Sequence, residues 1–211
     1  KKALTVEETA QLLLADDPTQ GFEPDGLSTE HMFRSELIAN EDLPDAIDPR
    51  KIYLIRYPYG SGSEKPAVKT DVIQAVNSGM LFWNYVGHGN PFKMADENAF
   101  ILQDVGALVN KTQPTFLIAA SCDLGKFDDP IVTGLGESLL KSTAGGAIAA
   151  FSATDIAFAY SNAVLADQLF KNLFAESPQG FLSTLGMAAL KAKERPVTLS
   201  INDNKYVLMG D

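Results

Sequence analysis

The sequence contains a single cysteine, Cys122, among its 211 residues. One cysteine cannot form a disulfide within the chain, and it cannot supply a cysteine-rich metal site. No apolar run approaches the roughly 18 residues that a membrane-spanning helix needs, and no stretch has the features of a signal peptide. These absences exclude a disulfide-stapled scaffold and direct membrane insertion of this segment, but they leave the compartment open.

Positive charge is also scarce. The chain has 17 Lys and Arg against 27 Asp and Glu, which gives a formal net charge of −10. No Lys/Arg cluster is present, although nucleic acids and anionic membranes both favour clustered positive charge in their partners. We therefore expect neither a nucleic acid nor a membrane as the main partner.

The rest of the composition is typical of a globular domain. Hydrophobic residues make up 45% of the chain and charged residues 21%, which is enough apolar material for a core without a stabilising metal. The chain opens on Lys1-Lys2 and closes on Gly210-Asp211, with no convincing boundary between. We interpret residues 1–211 as one domain and as a piece of a longer protein.

Short apolar runs alternate with amphipathic segments along the chain, which predicts an α/β domain with a mainly parallel sheet. Strands are predicted at residues 11–15, 51–57, 80–86, 115–120, 146–151 and 206–209. Helices are predicted at residues 28–40, 67–78, 130–141, 161–175 and 180–194. Residues 99–109 have mixed character and give no clear prediction.

Two of the predicted strands end in a residue with reactive chemistry. Residues 80–86 run into Gly87-His88-Gly89, and residues 115–120 run into Ser121-Cys122-Asp123. Sites in open parallel sheets form outside the carboxyl ends of the strands. The 34 residues from His88 to Cys122 leave room for one crossover, which would place the two strands side by side or one apart. We therefore expect both side chains at one edge of the sheet.

A histidine beside a cysteine is the pairing that a cysteine hydrolase needs. The thiolate is the nucleophile, and a nearby imidazole can take the thiol proton and later give it to the leaving amine. The backbone amides of Gly89 and Cys122 are candidates for an oxyanion hole. Taken singly, each residue has a plainer explanation, because a lone cysteine is usually a small buried hydrophobe and a Gly-His-Gly loop can be a turn or a metal ligand.

Three segments together resemble the gingipain family of cysteine peptidases. They are residues 84–89 (NYVGHG), 115–128 (TFLIAASCDLGKFD) and 145–154 (GGAIAAFSAT), and residues 206–211 (YVLMGD) resemble that family's domain end. The Ser121-Cys122 pair followed by residues 127–130 (FDDP) is most similar to the subgroup that contains the sortase of the type IX secretion system. The resemblance runs in order from about Leu12 to Asp211.

The resemblance implies a caspase-like fold, an α/β domain whose mainly parallel sheet is flanked by helices on both faces. It implies that Cys122 is the nucleophile and His88 the general base of a peptidase acting on extended peptides, at the cell surface or outside the cell. It also implies a third, acidic residue from the loop at residues 16–28, which would orient the imidazole. Asp25 is the preferred candidate there, and the alternatives are Asp16, Asp17 and Glu23.

Substrate recognition is less well defined by the resemblance. Ser152, Ala153 and Thr154 match a segment of the family that lines the substrate, and they could form a wall or a β-edge for a peptide. Gingipains read a basic residue with an acidic group, and no residue of this chain can be assigned that role. His31 and Trp83 are interpreted as structural.

No organic cofactor is expected. The acidic segments 96–98 (DEN) and 128–129 (DD) are candidates for structural calcium, which favours carboxylate and carbonyl oxygens, with ordinary solvated acids as the alternative. Two other functions stay open on the sequence alone. One is a catalytically silent binding module of a secretion or surface assembly, and the other is a non-proteolytic hydrolase or acyltransferase that uses the same pair.

Overall fold

The computed structural model of the chain describes residues 11–16, 27–176, 182–194 and 202–210. Nine strands lie in these ranges: β1 (Gln11–Ala15), β2 (Pro49–Tyr53), β3 (Phe82–Val86), β4 (Gly89–Asn90), β5 (Lys93–Met94), β6 (Phe100–Ile101), β7 (Thr115–Ala120), β8 (Ala147–Ala153) and β9 (Tyr206–Gly210). Five α-helices accompany them: α1 (Leu27–Leu37), α2 (Pro66–Asn77), α3 (Leu135–Lys141), α4 (Ala159–Phe174) and α5 (Leu185–Lys193).

The main sheet has six strands in the order β2-β1-β3-β7-β8-β9. Every neighbouring pair is parallel except the last, because β9 runs antiparallel to β8. Strands β4, β5 and β6 form a small separate antiparallel sheet. The prediction of an α/β domain built on a mainly parallel sheet is confirmed.

Alternating side chains on the central strands form a core on each face of the sheet. On β1, Leu12 and Leu14 belong to one core and Leu13 and Ala15 to the other, and all four are fully buried. This period of two is the geometry of a strand, and apolar residues on both faces are typical of a parallel sheet covered on both sides. Helices α2 and α3 contribute to the first core, and α4 and α5 to the second.

Several predicted elements differ from the structure in extent. The helices predicted at residues 130–141 and 180–194 begin at Leu135 and Leu185. The strand predicted at residues 51–57 is β2 (Pro49–Tyr53), followed by a 3₁₀ turn at Leu54–Arg56. It ends there because Tyr53 pairs with Ala15, the last residue of β1, so no partner remains beyond it. The undecided segment 99–109 is the short strand β6 and a 3₁₀ helix at Leu102–Ala107.

The order of the strands places a crevice at the centre of the sheet. From β1 the chain adds β2 on one side, and then returns to add β3 and β7 on the other side. The carboxyl ends of β1 and β3 therefore lie at the point where the winding direction reverses, which is where open α/β sheets bind their ligands. Asp16 follows β1 directly, and Gly87 and His88 follow β3. None of the described helices is long and apolar enough to cross a bilayer.

One buried carboxyl lies beside this crevice, at the end of a single π-helical turn (Ile38–Asp42) that continues α1. The side chain of Asp42 is 2% exposed, and its nearest cation is the Lys171 ammonium, 3.9 Å from Oδ1. Burial, together with the charge of Asp167, raises the pKa of Asp42 to about 6 from an ordinary value of 3.8. The folded state thus binds this proton more tightly than the unfolded chain does.

We expect Asp42→Asn to stabilise the protein at neutral pH. A raised carboxyl pKa gives stability that is present below about pH 4 and is lost as the pH rises through about 6, so the uncharged amide removes a penalty of about 3 kcal/mol. Chemical denaturation at about pH 4 and about pH 7.5 measures the effect. The control is Asp45→Asn, an exposed carboxyl in the same segment. Equal responses of the two variants to pH would contradict this account of Asp42.

Candidate active site

The two sequence-predicted reactive residues lie in one cleft. Strands β3 and β7 are neighbours, with Val86 paired to Ala120, so the loops that follow them leave the sheet side by side. His88 and Cys122 both line a cleft of about 180 Å³. The other lining residues are His31, Arg34, Val86, Gly87, Ala120, Ala157, Phe158, Ala159, Asn162 and Ala163.

The histidine loop packs directly on the cysteine loop. A β-carbon placed on Gly89 would lie 2.3 Å from Ser121 Oγ and 3.3 Å from the Cys122 carbonyl oxygen. Only a residue without a side chain fits at such a distance. This glycine therefore sets how closely His88 and Cys122 approach each other, and the predicted role of its amide in an oxyanion hole stays a prediction.

The backbone of His88 is held on both sides. Its N–H donates to Asp16 Oδ2 at 2.8 Å, and its carbonyl accepts from the Tyr85 hydroxyl and, at 3.0 Å, from the Ala95 N–H. Burial, reinforced by the Asp16 charge, raises the pKa of Tyr85 well above its usual value, so the phenol stays protonated and remains a donor. The exposed imidazole thus projects from a fixed backbone.

A second histidine stands beside the first. The rings of His31 and His88 are 5.5 Å apart between centroids and 78° from coplanar, an edge-to-face contact. His31 comes from α1 and is 5% exposed. The sequence alone does not place it here, because it follows no strand, and its predicted role is structural. The one available signal was that both histidines of the chain lie in segments next to the predicted crevice.

The thiol of Cys122 rests against the loop that follows β8. The Ala157 N–H donates to Sγ at 3.3 Å, and Sγ lies 3.4 Å from the Ala157 carbonyl oxygen. The next residue, Asp123, has φ of 53°, a left-handed conformation that is uncommon outside glycine. The chain thus turns sharply just after the cysteine, and this turn leaves Cys122 partly exposed at the end of the buried strand β7.

A network of buried polar side chains supports the wall of the cleft. Asn162 Oδ1 accepts from Asn202 Nδ2 at 2.7 Å and from the Tyr206 hydroxyl at 2.8 Å. Asn202 also holds Phe158, accepting from its N–H at 3.1 Å and donating to its carbonyl at 2.8 Å. Buried polar groups of this kind are stable only when they are hydrogen-bonded. The segment at residues 202–206, to which the sequence assigns no role in the site, therefore holds Asn162 and Phe158 in place in the wall of the cleft.

The remaining predicted site residues fall in different places. Asp25, the preferred third residue, lies outside the described residues, as do Asp17 and Glu23. Asp16 is described and contacts the His88 backbone. Ser152 and Ala153 are fully buried in β8, and the Thr154 hydroxyl donates to the Lys205 carbonyl. Their proposed contact with substrate stays a prediction, and Ala157 and Phe158, a few residues later, line the cleft itself.

The acidic segments considered for calcium are engaged with neighbouring groups. Asp96 pairs with Lys93 at 3.0 Å and Asp128 with Lys126 at 3.3 Å, while Asp129 accepts from the Ile131 N–H. Within the described ranges, no three His, Cys, Asp or Glu side chains are grouped in a way that could hold a metal ion. The calcium prediction therefore has no support from clustering in this part of the chain.

Comparisons with known proteins point to one family. The model of peptidase family C25 matches residues 4–211. No curated protein sequence matches the chain significantly.

Solved structures with a similar fold include two of a gingipain. The Arg-specific cysteine proteinase gingipain R (RgpB) superposes with a TM-score of 0.72 at 20% identity, over 99% of this chain and 48% of that one. The complex of the RgpB pro- and mature domains from Porphyromonas gingivalis gives 0.71 at 20% identity, over 99% and 49%. A separase–securin complex from Saccharomyces cerevisiae gives 0.59 at 13% identity, over 97% and 12%. The chain spans about half the length of the gingipain structures, and these likenesses confirm the caspase-like fold.

We expect Gly89→Ala to damage the site while a matched substitution does not. The new methyl group must displace Ser121 Oγ, and overpacking of this kind costs about 1–3 kcal/mol. Gly106→Ala is the control, because a β-carbon there meets no atom within 4 Å. Thermal denaturation, together with the rate at which iodoacetamide alkylates the single cysteine, measures both effects. A Gly89→Ala protein with the stability and alkylation rate of Gly106→Ala would show that the two loops are not closely coupled.

Proposed function

The chain belongs to peptidase family C25, and we propose that it is a cysteine endopeptidase in which Cys122 is the nucleophile and His88 the general base. The observation that carries the proposal is that these two residues, at the ends of the neighbouring strands β3 and β7, line one cleft. The pairing supplies both groups that thiol-dependent peptide cleavage needs. The substrate is accordingly a polypeptide.

The surroundings of Cys122 suit a sulfur that carries negative charge during the reaction. The Ala157 N–H already donates to Sγ at 3.3 Å. The amino end of α4, a helix of 16 residues, begins at Ala159 in the wall of the cleft. A helix amino terminus carries partial positive charge, and it is one of the features that activate reactive cysteines.

The proposed reaction has two halves. In the first, His88 takes the thiol proton of Cys122, Sγ forms a bond to the carbonyl carbon of the scissile peptide, and the C–N bond breaks as the His88 imidazolium gives that proton to the leaving amine. The oxyanion that forms in between would accept from the Gly89 and Cys122 amides. In the second half, His88 takes a proton from water, which attacks the thioester and releases the new carboxyl group and the thiol.

A sortase would use the same intermediate with a different acceptor. If an amine rather than water resolves the thioester, a new amide forms and the reaction is a transpeptidation. The resemblance of residues 121–122 and 127–130 to the type IX secretion subgroup supports such a role in processing secreted cargo, at the cell surface or outside the cell. The complex of RgpB pro- and mature domains suggests a pro-segment as a further partner.

The alternative function is a binding module that keeps the fold and both residues but does not turn over substrate. Its support is that the thiol is already engaged with both backbone groups of Ala157, a contact that an incoming peptide must replace. A chain that folds, yet is not labelled by an electrophilic peptide probe at neutral pH, would favour this function. A hydrolase or acyltransferase would be revealed by turnover of esters without turnover of peptides.

Substitution of either reactive residue tests the peptidase. We expect Cys122→Ala and His88→Ala each to lower the rate of peptide cleavage at least about 100-fold, since each removes a group that acts on the reacting bond. The measurement is cleavage of a peptide library followed by mass spectrometry. Ser63→Ala, an exposed loop residue, is the control and should keep the wild-type rate. Wild-type turnover in either site variant would refute the assignment.

A further inference from the structure

The part of the chain that the structure describes gives the cleft beside Cys122 hydrogen-bond donors and no carboxylate. Among its described lining residues, the charged or polar side chains other than the thiol are His31, Arg34, His88 and Asn162, and the rest are apolar or glycine. Among the described residues that line it, none is Asp or Glu. A chain with a net charge of −10 thus keeps acidic side chains out of the described wall of this cleft, although it has many to place.

Asn162 is the most informative of these residues. It is 5% exposed, and its Oδ1 accepts from both Asn202 and Tyr206. Because an NH₂ group cannot accept a hydrogen bond, these two donors identify the atom they contact as the amide oxygen of Asn162. The Nδ2 group donates to no protein atom in the described part of the chain. A buried amide held by its oxygen therefore leaves two N–H donors for a ligand in the cleft that Asn162 lines.

The amino end of α4 adds a second, independent preference for an acceptor. The residue before the helix, Phe158, provides no side-chain cap, and the first turn contains no acidic residue. The N–H groups of a first helical turn have no partners within the helix. Since Phe158 and Ala159 line the cleft, the positive end of the helix dipole opens onto the same space that Asn162 faces.

Arg34 gives this space a formal positive charge. It lines the cleft from α1, and its guanidinium carbon lies 5.9 Å from the centre of the Tyr160 ring in the first turn of α4. A second cleft, of about 170 Å³, continues beyond Arg34 and does contain acids, Asp42 and Asp167. Those two carboxyls lie beside Lys171. Arg34 lines both the cleft that contains Cys122 and the cleft that contains these carboxyls.

From these contacts we propose that the cleft is a subsite for an acidic side chain, and that the substrate residue bound next to Cys122 is Asp or Glu. The carboxylate would accept from Asn162 Nδ2 at the amino end of α4, with Arg34 supplying the opposite charge. A carboxamide side chain would keep the hydrogen bonds but lose the charge. A basic side chain would meet the Asn162 donors and the Arg34 charge, with no carboxylate among the described lining residues. This inference rests on the proposed peptidase function and names the substrate class of the same site.

Alkylation of the single cysteine tests the subsite without requiring peptidase activity. The probes are iodoacetate and iodoacetamide, which react alike with a thiolate but differ in the charge of the attached group. The ratio of their rates is measured by intact-mass spectrometry on the folded chain and on the same chain in denaturant, where Cys122 reports the intrinsic ratio. We expect folding to raise the ratio in favour of iodoacetate by about tenfold, because a local positive field attracts the anion.

Two variants locate the effect. Asn162→Asp keeps the shape and an oxygen for Asn202 and Tyr206 but turns the donor into a negative acceptor, and we expect the gain for iodoacetate to vanish. Arg34→Gln should reduce it by about threefold, as expected for loss of one partly solvated charge. Asn172→Asp is the matched control, because it makes the same change on the same helix, where Nδ2 donates to the Gln168 carbonyl. It should leave the ratio unchanged.

Peptidyl acyloxymethyl ketones with Asp, Asn, Ala or Lys next to the reactive group give the second readout. We expect labelling of Cys122 to be fastest with Asp, slower with Asn, and slowest with Lys. Labelling led by Lys, or the same rate for all four, would overturn the subsite while leaving the peptidase intact. A folded chain that prefers iodoacetate but is labelled by no peptide would retain the anion site and contradict the peptidase. A haloacetate ratio that folding does not change would overturn the subsite on its own.

Discussion

The hydrogen bond from the His88 N–H to the buried Asp16 carboxylate joins the two strand ends on which the candidate site depends. Asp16 ends β1 and His88 follows β3, so this bond lies where the sheet reverses its winding. A charge-assisted hydrogen bond is stronger than a neutral one, and a carboxylate 1% exposed is costly to leave without such donors. This bond and those to the His88 carbonyl therefore hold the backbone of the loop at His88 in place in the protein without a ligand.

The other parts of the site are positioned relative to the loop that follows β3. Gly89 lets it touch Ser121 and Cys122, so the register of β3 with β7 determines the separation of His88 and Cys122. On the far side, Tyr206 and Asn202 hold Asn162 and the loop at Phe158. These residues come from the last described segment of the chain, which pairs as β9 with β8. The cleft thus needs the whole sheet, from β1 to its antiparallel edge, to be assembled.

The sequence was sufficient for the order of most elements and for bringing His88 and Cys122 to one cleft, and the reason is physical. Buried parallel strands appear as short apolar runs, and His88 and Cys122 follow two of them directly, so topology alone brings them together. His31, Asn162 and Asn202 could not be found in this way. Their place in the site depends on how helices pack on the sheet and on hydrogen bonds between residues about 40 apart, such as Asn202 to Asn162, and no local pattern records either. The third residue, Asp25, falls outside the described part and stays a prediction.

The same distinction, between what the sheet determines and what the packing of helices determines, applies to substrate specificity. A fold shared at 20% identity carries the positions of the strand ends, because they are set by the sheet, but it does not carry the side chains that line a cleft between helices. In this chain the described groups are donors: an amide whose oxygen is already used, a helix amino end whose N-cap residue, Phe158, provides no side-chain cap, and an arginine. A cleft lined by N–H donors, in a protein with excess negative charge, discriminates against a side chain that cannot accept hydrogen bonds, because that side chain leaves the donors unpaired. Leaving a buried donor unpaired costs more free energy than a hydrogen bond contributes. The preference of this site should therefore follow from Asn162 and Arg34 rather than from the family to which the chain belongs.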